Sequence, residues 1–414
     1  MTGAAQAARI LVITGRVPYS TTEEAFVQDE LETMLRLGTD LLVVPARLQT
    51  SGPNQQAVDS GLVGRVVAEK LLAPAVLKGA ARILGRRPVK AVRASFRAVQ
   101  GSGGLRNLMT NVAIIPKALW IAGLAHESRA EHIHSYWLAH TTTAAMIAGE
   151  ITGIPWSATG FRWDIDARNS LRSKLASASF IRVADELGQR QIAAAIAQLD
   201  LTTPLNLVRT GVLVPDAAAW RSSPLTVDHW YCPGAFVEKK GHTFLLDALL
   251  EVRRRGRSVH LDLFGDGPLK SHISAKVAEY GLTDAVTFHG VVPLAELRAC
   301  MMRHRPVVVL PSIRSSDGQE EGIPVVLIEA MANGCPVVST TTGSIPTLIT
   351  PGCGTLVPDE DPEALADALD AICEHPGAAG AAADRAYERV RSEFDRETVA
   401  ATMLDLMAHQ GTLR

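Results

Sequence analysis

Cysteine is scarce and shows no pairing pattern. The five residues Cys232, Cys300, Cys335, Cys353 and Cys373 are scattered over the second half of a 414-residue chain. There is no C-x-x-C and no Cys/His spacing of a zinc site, which predicts reduced thiols rather than a disulfide framework. No Asp-rich motif of a metal-binding loop is present, so no metal ligand is assigned. Excess charge is missing too: 41 Lys and Arg against 43 Asp and Glu leave a formal net charge of −2, which argues against a general nucleic-acid binder. Ile10 to Thr14 is too short for a signal-peptide core, and no run reads as long enough to span a membrane. Export and membrane insertion are therefore not expected, and the thiols fit a cytoplasmic protein. The first strand-like segment, Arg9 to Thr14, is not followed by a G-x-G-x-x-G loop, which weakens a dehydrogenase reading.

What is present points to two ordinary α/β domains. A chain of this length with 47% hydrophobic and 20% charged residues is large enough for two cores. Its most informative stretch runs from Pro306 to Thr342. Val307 to Leu310 is a β-branched run suited to a strand covered on both faces, and Pro311 ends it. Pro324 reads as a first-turn proline, Val325 to Ala332 as a helix, Gly334 as a left-handed cap and Pro336 to Thr340 as the next strand. Two carboxylates stand out in this nearly uncharged unit, Glu321 before the helix and Glu329 within it. The helix start at Gly322, Ile323, Pro324 and Val325 would suit an anion such as a diphosphate. Glu329, about 9 Å further along the axis, would then reach ribose hydroxyls, and Glu321 a sugar. The alternative is that both are helix-dipole residues on a solvated face.

In chain order, a helix capped at Thr21 or Thr22 and ending near Gly38 precedes a strand at Leu41 to Val44. Between 61 and 120, eleven Lys or Arg face one acid, Glu69. The interleaved apolar residues predict amphipathic helices, either an anionic-membrane or lipid-acceptor surface or a solvated insertion. Strands at Ile133 to Trp137, Pro155 to Thr159 and Phe180 to Ala184 alternate with helices at Thr141 to Ile151 and Asp185 to Ala197. Leu207 to Val214 reads as the last strand of the first domain and Ala217 to Thr226 as the linker. The helix from Pro362 to Cys373 and terminal helices at Glu388 to Phe394 and Arg396 to Met407 close the chain.

The run E-G-I-P-x-x-x-x-E-A-M-A-x-G-x-P-V-V resembles the donor-site signature of retaining GT-B glycosyltransferases of family 4, of the type that builds polysaccharides and lipid-linked glycans. Glu24, Phe26 and Glu30 match the opening of the same type. PGAFVEKKG resembles the loop whose arginine and lysine neutralise the donor diphosphate, which places Gly234, Lys239 and Lys240 at that site. Ala235 occupies the arginine position, with Arg314 as a candidate replacement. The GDG turn at Gly265 and Gly267, with FHG further on, matches the turns flanking the base. His134 matches a strand-end histidine facing the interdomain cleft. Phe161 stands where the family has an imidazole, Asp164 keeps its aspartate, and Thr347 replaces an acid.

The resemblance implies two doubly wound Rossmann-like domains facing a cleft: an acceptor domain at 1–216 with a basic insertion at about 61–120, a donor domain at 226–385, and helices at 386–414 crossing back. It implies retaining transfer of a hexose from a UDP- or GDP-sugar to an acceptor hydroxyl, without metal or cofactor, with catalytic roles for Glu321, Lys240 and His134. The departing diphosphate would help deprotonate the acceptor. Expected partners are the nucleotide sugar, a glycan or lipid-linked acceptor and an anionic membrane, not nucleic acid; the expected place is the cytoplasm, peripheral to the inner face of the cell membrane. Two alternatives stand beside it: sugar-nucleotide epimerases and phosphorylases share the GT-B architecture, although no pyridoxal-phosphate lysine is announced, and the missing Arg, His and acid would suit an inactive nucleotide-sugar-binding partner subunit.

Overall fold

Apolar strands alternating with helices build two parallel sheets. The computed structural model describes residues 9–19, 24–47 and 52–411; the caps expected at Thr21 or Thr22 fall outside them. The chain divides into two compact units, one running to Gly211 and resuming at Arg396, the other spanning Val212–Asp395.

In the first unit β1 (Arg9–Thr14), β2 (Asp40–Pro45), β3 (His132–Tyr136), β4 (Trp156–Gly160), β5 (Phe180–Val183) and β6 (Leu205–Leu207) lie in the order β2-β1-β3-β4-β5-β6. Leu11, Val12, Ile13 and Ile133 are fully buried, so the sheet is covered on both faces. The strand expected at Leu207 to Val214 stops at Leu207, and Val212 makes only an isolated bridge to Asp395. A side chain at Gly211 would strike the backbone of Arg396 at 2.7 Å, so the glycine lets the chain pass close to this helix start.

The basic stretch forms helices Pro74–Arg86, Pro88–Val99 and Leu105–Glu127. The last is long and apolar enough to cross a membrane by length and composition, which corrects the expectation that no run has that length. Its second half is a core element: Ile114, Ala118, Leu119 and Ile121 are buried. Lys117 is buried with them and donates to the carbonyls of Pro45 (2.6 Å), Ala46 (3.2 Å) and Glu69 (2.8 Å). Burial lowers its pKa to about 8, against the opposing pull of the Glu69 carboxylate. The ammonium thus pins the helix to the end of β2.

In the second unit β7 (Thr226–Pro233), β8 (His260–Phe264), β9 (Val286–Gly290), β10 (Pro306–Leu310), β11 (Val337–Thr340) and β12 (Thr355–Val357) lie in the order β12-β11-β10-β7-β8-β9. Strand order reverses between β7 and β10, and in such sheets the carboxyl ends of the two strands at the reversal open a crevice for ligand. The expected linker at Ala217 to Thr226 is instead part of this unit. Trp220, in the short helix Ala218–Arg221, is fully buried. Gly334 (φ +66°) leaves room for its ring, Tyr387 meets it edge-on at 5.3 Å, and the Arg305 guanidinium lies 4.7 Å above it. Helix Pro376–Glu393 also belongs to this unit, so the chain returns to the first unit at Arg396 rather than at 386.

Lys117→Met keeps the stem but leaves three buried carbonyls without their donor. It should lower the unfolding free energy by about 1–3 kcal/mol, read from urea denaturation. An unchanged midpoint would show that the tether does not hold the helix.

Candidate functional site

Four glycines bring the loops at the carboxyl ends of the second sheet into contact. Gly241 (φ +66°) follows the β7 loop, and a side chain there would collide with the carbonyl of Pro311 after β10. Ile313 N–H donates to the Lys239 carbonyl at 2.9 Å, and Ser316 donates through N–H and Oγ to Glu238 at 2.9 and 2.8 Å. On the other side a side chain at Gly265 (φ +147°) would collide with the Gly234 carbonyl, and one at Gly267 with the backbone of Phe236. Gly343 (φ +59°), after β11, sits against the Glu321 carbonyl, which accepts Ser344 N–H at 3.2 Å. At Gly265 and Gly267, expected in a turn flanking the base, the missing side chains let neighbouring backbones approach.

These contacts place Lys240 and Glu321 together. Lys240 Nζ lies 2.9 Å and Lys239 Nζ 3.6 Å from Glu321 Oε1, a side chain only 10% exposed. Burial opposes ionisation of Glu321, but the two ammonium groups outweigh it and hold its carboxyl below the ordinary range. Its contribution to stability is therefore present above the ordinary carboxylate pKa and is lost only as pH falls through the depressed folded value. The 2.9 Å approach makes Lys240 the direct partner of Glu321 Oε1, whereas Ser312 Oγ, on the same loop, is buried with no hydrogen-bond partner among the described residues. Buried polar atoms are normally satisfied, so the Ser312 hydroxyl is a candidate contact for a polar ligand.

Beyond Gly322 and Ile323, Pro324 is the N-cap of helix Val325–Ala332 rather than its first residue. The first intrahelical bond runs from Leu327 N–H to Pro324 O at 3.0 Å, which leaves Val325 and Val326 N–H at the positive end of the helix. Glu329 lies one turn inside, 1% exposed, and is gripped by Arg298: Nε to Oε2 at 2.7 Å and Nη2 to Oε1 at 2.5 Å. Glu329 is thus neither a solvated residue nor an unengaged acceptor. Arg298, on helix Leu294–His304, was missed because nothing in its own helix signals a partner 31 residues away. Arg314, the expected substitute at Ala235, has a side chain 67% exposed and lies 3.8 Å from Glu320, so nothing aims it at the Lys240–Glu321 pair.

The first unit treats its polar residues differently. His134 is fully buried, with Nδ1 on Ser157 Oγ at 2.8 Å and Nε2 on Thr159 Oγ1 at 2.9 Å. Burial, then His132 and Arg182, push its pKa well below the ordinary value. It is a neutral core imidazole, which corrects its assignment as a catalytic group. Asp164 accepts the N–H of Phe161 at 2.6 Å and that of Leu138, clasping the ends of β3 and β4. Phe161 packs with Phe26 (5.1 Å) and Trp137 (4.6 Å). Glu24 accepts N–H of Gly15 (2.9 Å), Arg16 (2.5 Å) and Val17 (2.9 Å), and Glu30 binds Arg182 at 2.7 Å and Tyr136 at 2.5 Å. Among the described residues no group of three or more His, Cys, Asp or Glu is arranged to hold a metal ion.

Residues 228–375, which carry every strand and loop of this crevice, match the family described as Glycosyl transferases group 1. WcaL of Escherichia coli (strain K12), a protein named for colanic acid biosynthesis, is 34% identical over 172 residues, 41% of this chain and 42% of that protein. The amylovoran biosynthesis glycosyltransferase AmsK of Erwinia amylovora is 30% identical over 171 residues, again 41% and 42%. The match thus spans about two-fifths of these curated relatives. Among solved structures, a glycosyltransferase from Rickettsia africae ESF-5 superposes with a TM-score of 0.68 at 14% identity over 98% of this chain and 99% of that one. Anabaena Alr3699/HepE in complex with UDP gives 0.66 at 17% identity over 97% and 100%. The fold is GT-B, with two Rossmann-like units.

Arg298→Ala should destabilise the second unit by about 3–5 kcal/mol by leaving the Glu329 carboxylate buried and unpaired. Arg298→Ala/Glu329→Ala should recover part of that loss in a denaturation cycle. Additive losses would show that the pair is not coupled.

Proposed function

We propose that this chain is a retaining glycosyltransferase of family 4 type that moves a hexose from a UDP- or GDP-sugar to an acceptor hydroxyl. The observation that carries the proposal is the buried Lys240–Glu321 pair at the strand reversal, on the loop that leads into the N-terminus of helix Val325–Ala332. The family match over the same segment and the UDP-bound fold neighbour support it. In this reading the diphosphate lies at Val325 and Val326 N–H, where helix dipole and Lys240 stabilise the charge that develops as the glycosidic bond breaks. Glu329, oriented by Arg298, accepts the ribose hydroxyls. Glu321 accepts a sugar hydroxyl at Oε1, and Lys239 and Lys240 keep it ionised. The departing diphosphate takes the acceptor proton on the face it leaves, which accounts for retention without a protein nucleophile. A glycan or lipid-linked glycan is the acceptor, in keeping with the polysaccharide relatives. No observation favours an inactive partner subunit or an epimerase.

Incubation with labelled UDP- and GDP-hexoses, with slow donor hydrolysis as the minimal readout, tests the reaction. Lys240→Ala should reduce turnover on the order of a hundredfold or more. Glu329→Ala should weaken nucleotide binding, and Glu321→Ala should lower turnover more than nucleotide affinity. Near-normal turnover in Lys240→Ala would place the phosphates elsewhere. Nucleotide binding with no hydrolysis or transfer of any donor would make the chain a binding subunit.

A further inference from the structure

The first unit displays an apolar face that its own core does not need. Ten of the fourteen large hydrophobic side chains exposed among the described residues lie between Leu72 and Val112, and they form stripes rather than scatter. On helix Pro88–Val99, Ala91, Ala94 and Ala98 face the core, while Val89, Val92 and Phe96 are 78%, 63% and 64% exposed along one line. Lys90, Arg93 and Arg97 form a third line beside them. Leu77 and Leu84 repeat the exposed pattern on helix Pro74–Arg86, and Leu105, Leu108, Met109 and Val112 do so on the first half of helix Leu105–Glu127. A helix exposing both an apolar and a basic stripe is poorly suited to water alone and well suited to the boundary between lipid headgroups and acyl chains.

The charges identify the occupant. Helices Pro74–Arg86 and Pro88–Val99 contain no carboxylate. Arg82 pairs with Glu127 at 3.0 Å, Arg97 with Glu150 at 3.1 Å, and Arg87 donates to the Ile151 carbonyl at 2.6 Å. Arg86, Lys90 and Arg93 are exposed and have no protein partner among the described residues. A groove of about 250 Å³ between the first and third helices, lined by Lys78, Arg82, Arg86, Gly79 and Trp120, could receive an anionic headgroup. A second copy docked on this face would bring cation against cation, whereas an anionic bilayer accepts both the charges and the apolar stripes.

We propose that these three helices dock the first unit on an anionic bilayer, with Val89, Val92 and Phe96 inserted and Arg86, Lys90 and Arg93 against headgroups. This stands apart from the glycosyl-transfer reading, because vesicle binding does not depend on catalysis. The full chain should co-sediment with phosphatidylglycerol-containing vesicles at low salt, poorly with phosphatidylcholine alone, and less well at high salt. Val92→Asp/Phe96→Asp should lower the partition coefficient about tenfold or more at every salt concentration. Arg86→Gln/Lys90→Gln/Arg93→Gln should lower it on the order of a hundredfold at low salt and little at high salt. All five side chains are exposed, so both variants should melt as the parent does. Three results would overturn the proposal: no sedimentation of the parent with anionic vesicles at low salt, parent-like binding by the Val92→Asp/Phe96→Asp chain, or a parent dimer that this variant dissolves with no vesicle binding.

Discussion

A carboxylate taken out of water must be compensated where it sits, and the second unit is organised around one such group. Glu321 is ionised at a buried position because Lys240 and Lys239 converge on it. They can converge because Gly241 lets the β7 loop lie on the β10 loop and Gly343 lets the β11 loop lie on Glu321 itself. Each glycine is needed for clearance between backbones, so substitution at any of them would move the charges apart before it touched a ligand. The site is thereby preorganised.

Each unit compensates its buried carboxylates with its own residues. In the first, His134, Glu24 and Glu30 have partners for their polar atoms within the sheet and its loops, which gives a rigid unit with little unmet polarity at those residues. In the second, Arg298 grips both carboxylate oxygens of Glu329, and Lys240 and Lys239 converge on Glu321.

Legibility in the sequence followed the strength of local punctuation. Helix Val325–Ala332 emerged with its expected bounds because Pro324 and Gly334 bracket an apolar run, and β1 because its six residues are a clean buried strand. Lys240 and Glu321 both read as donor-site residues, but their pairing at 2.9 Å was not legible, because they lie on loops far apart in the chain. Long-range contacts left no trace: Arg298 finds Glu329 across 31 residues, and Trp220 anchors a segment too short for periodicity. His134 was misassigned because the resemblance matches a strand-end position without showing that Ser157 and Thr159 enclose the side chain. The basic character of 61–120 was visible, but its exposed apolar stripes were not, since an apolar residue in an amphipathic helix reads as core until burial is known.

Hydrogen exchange of the full chain with and without UDP or GDP most directly tests the claim that the strand reversal of the second unit holds the donor. Slowed exchange confined to the loops at 234–241 and 311–326 and to the start of helix Val325–Ala332 is the predicted result. Nucleotide-dependent protection elsewhere, with these amides unchanged, would contradict it.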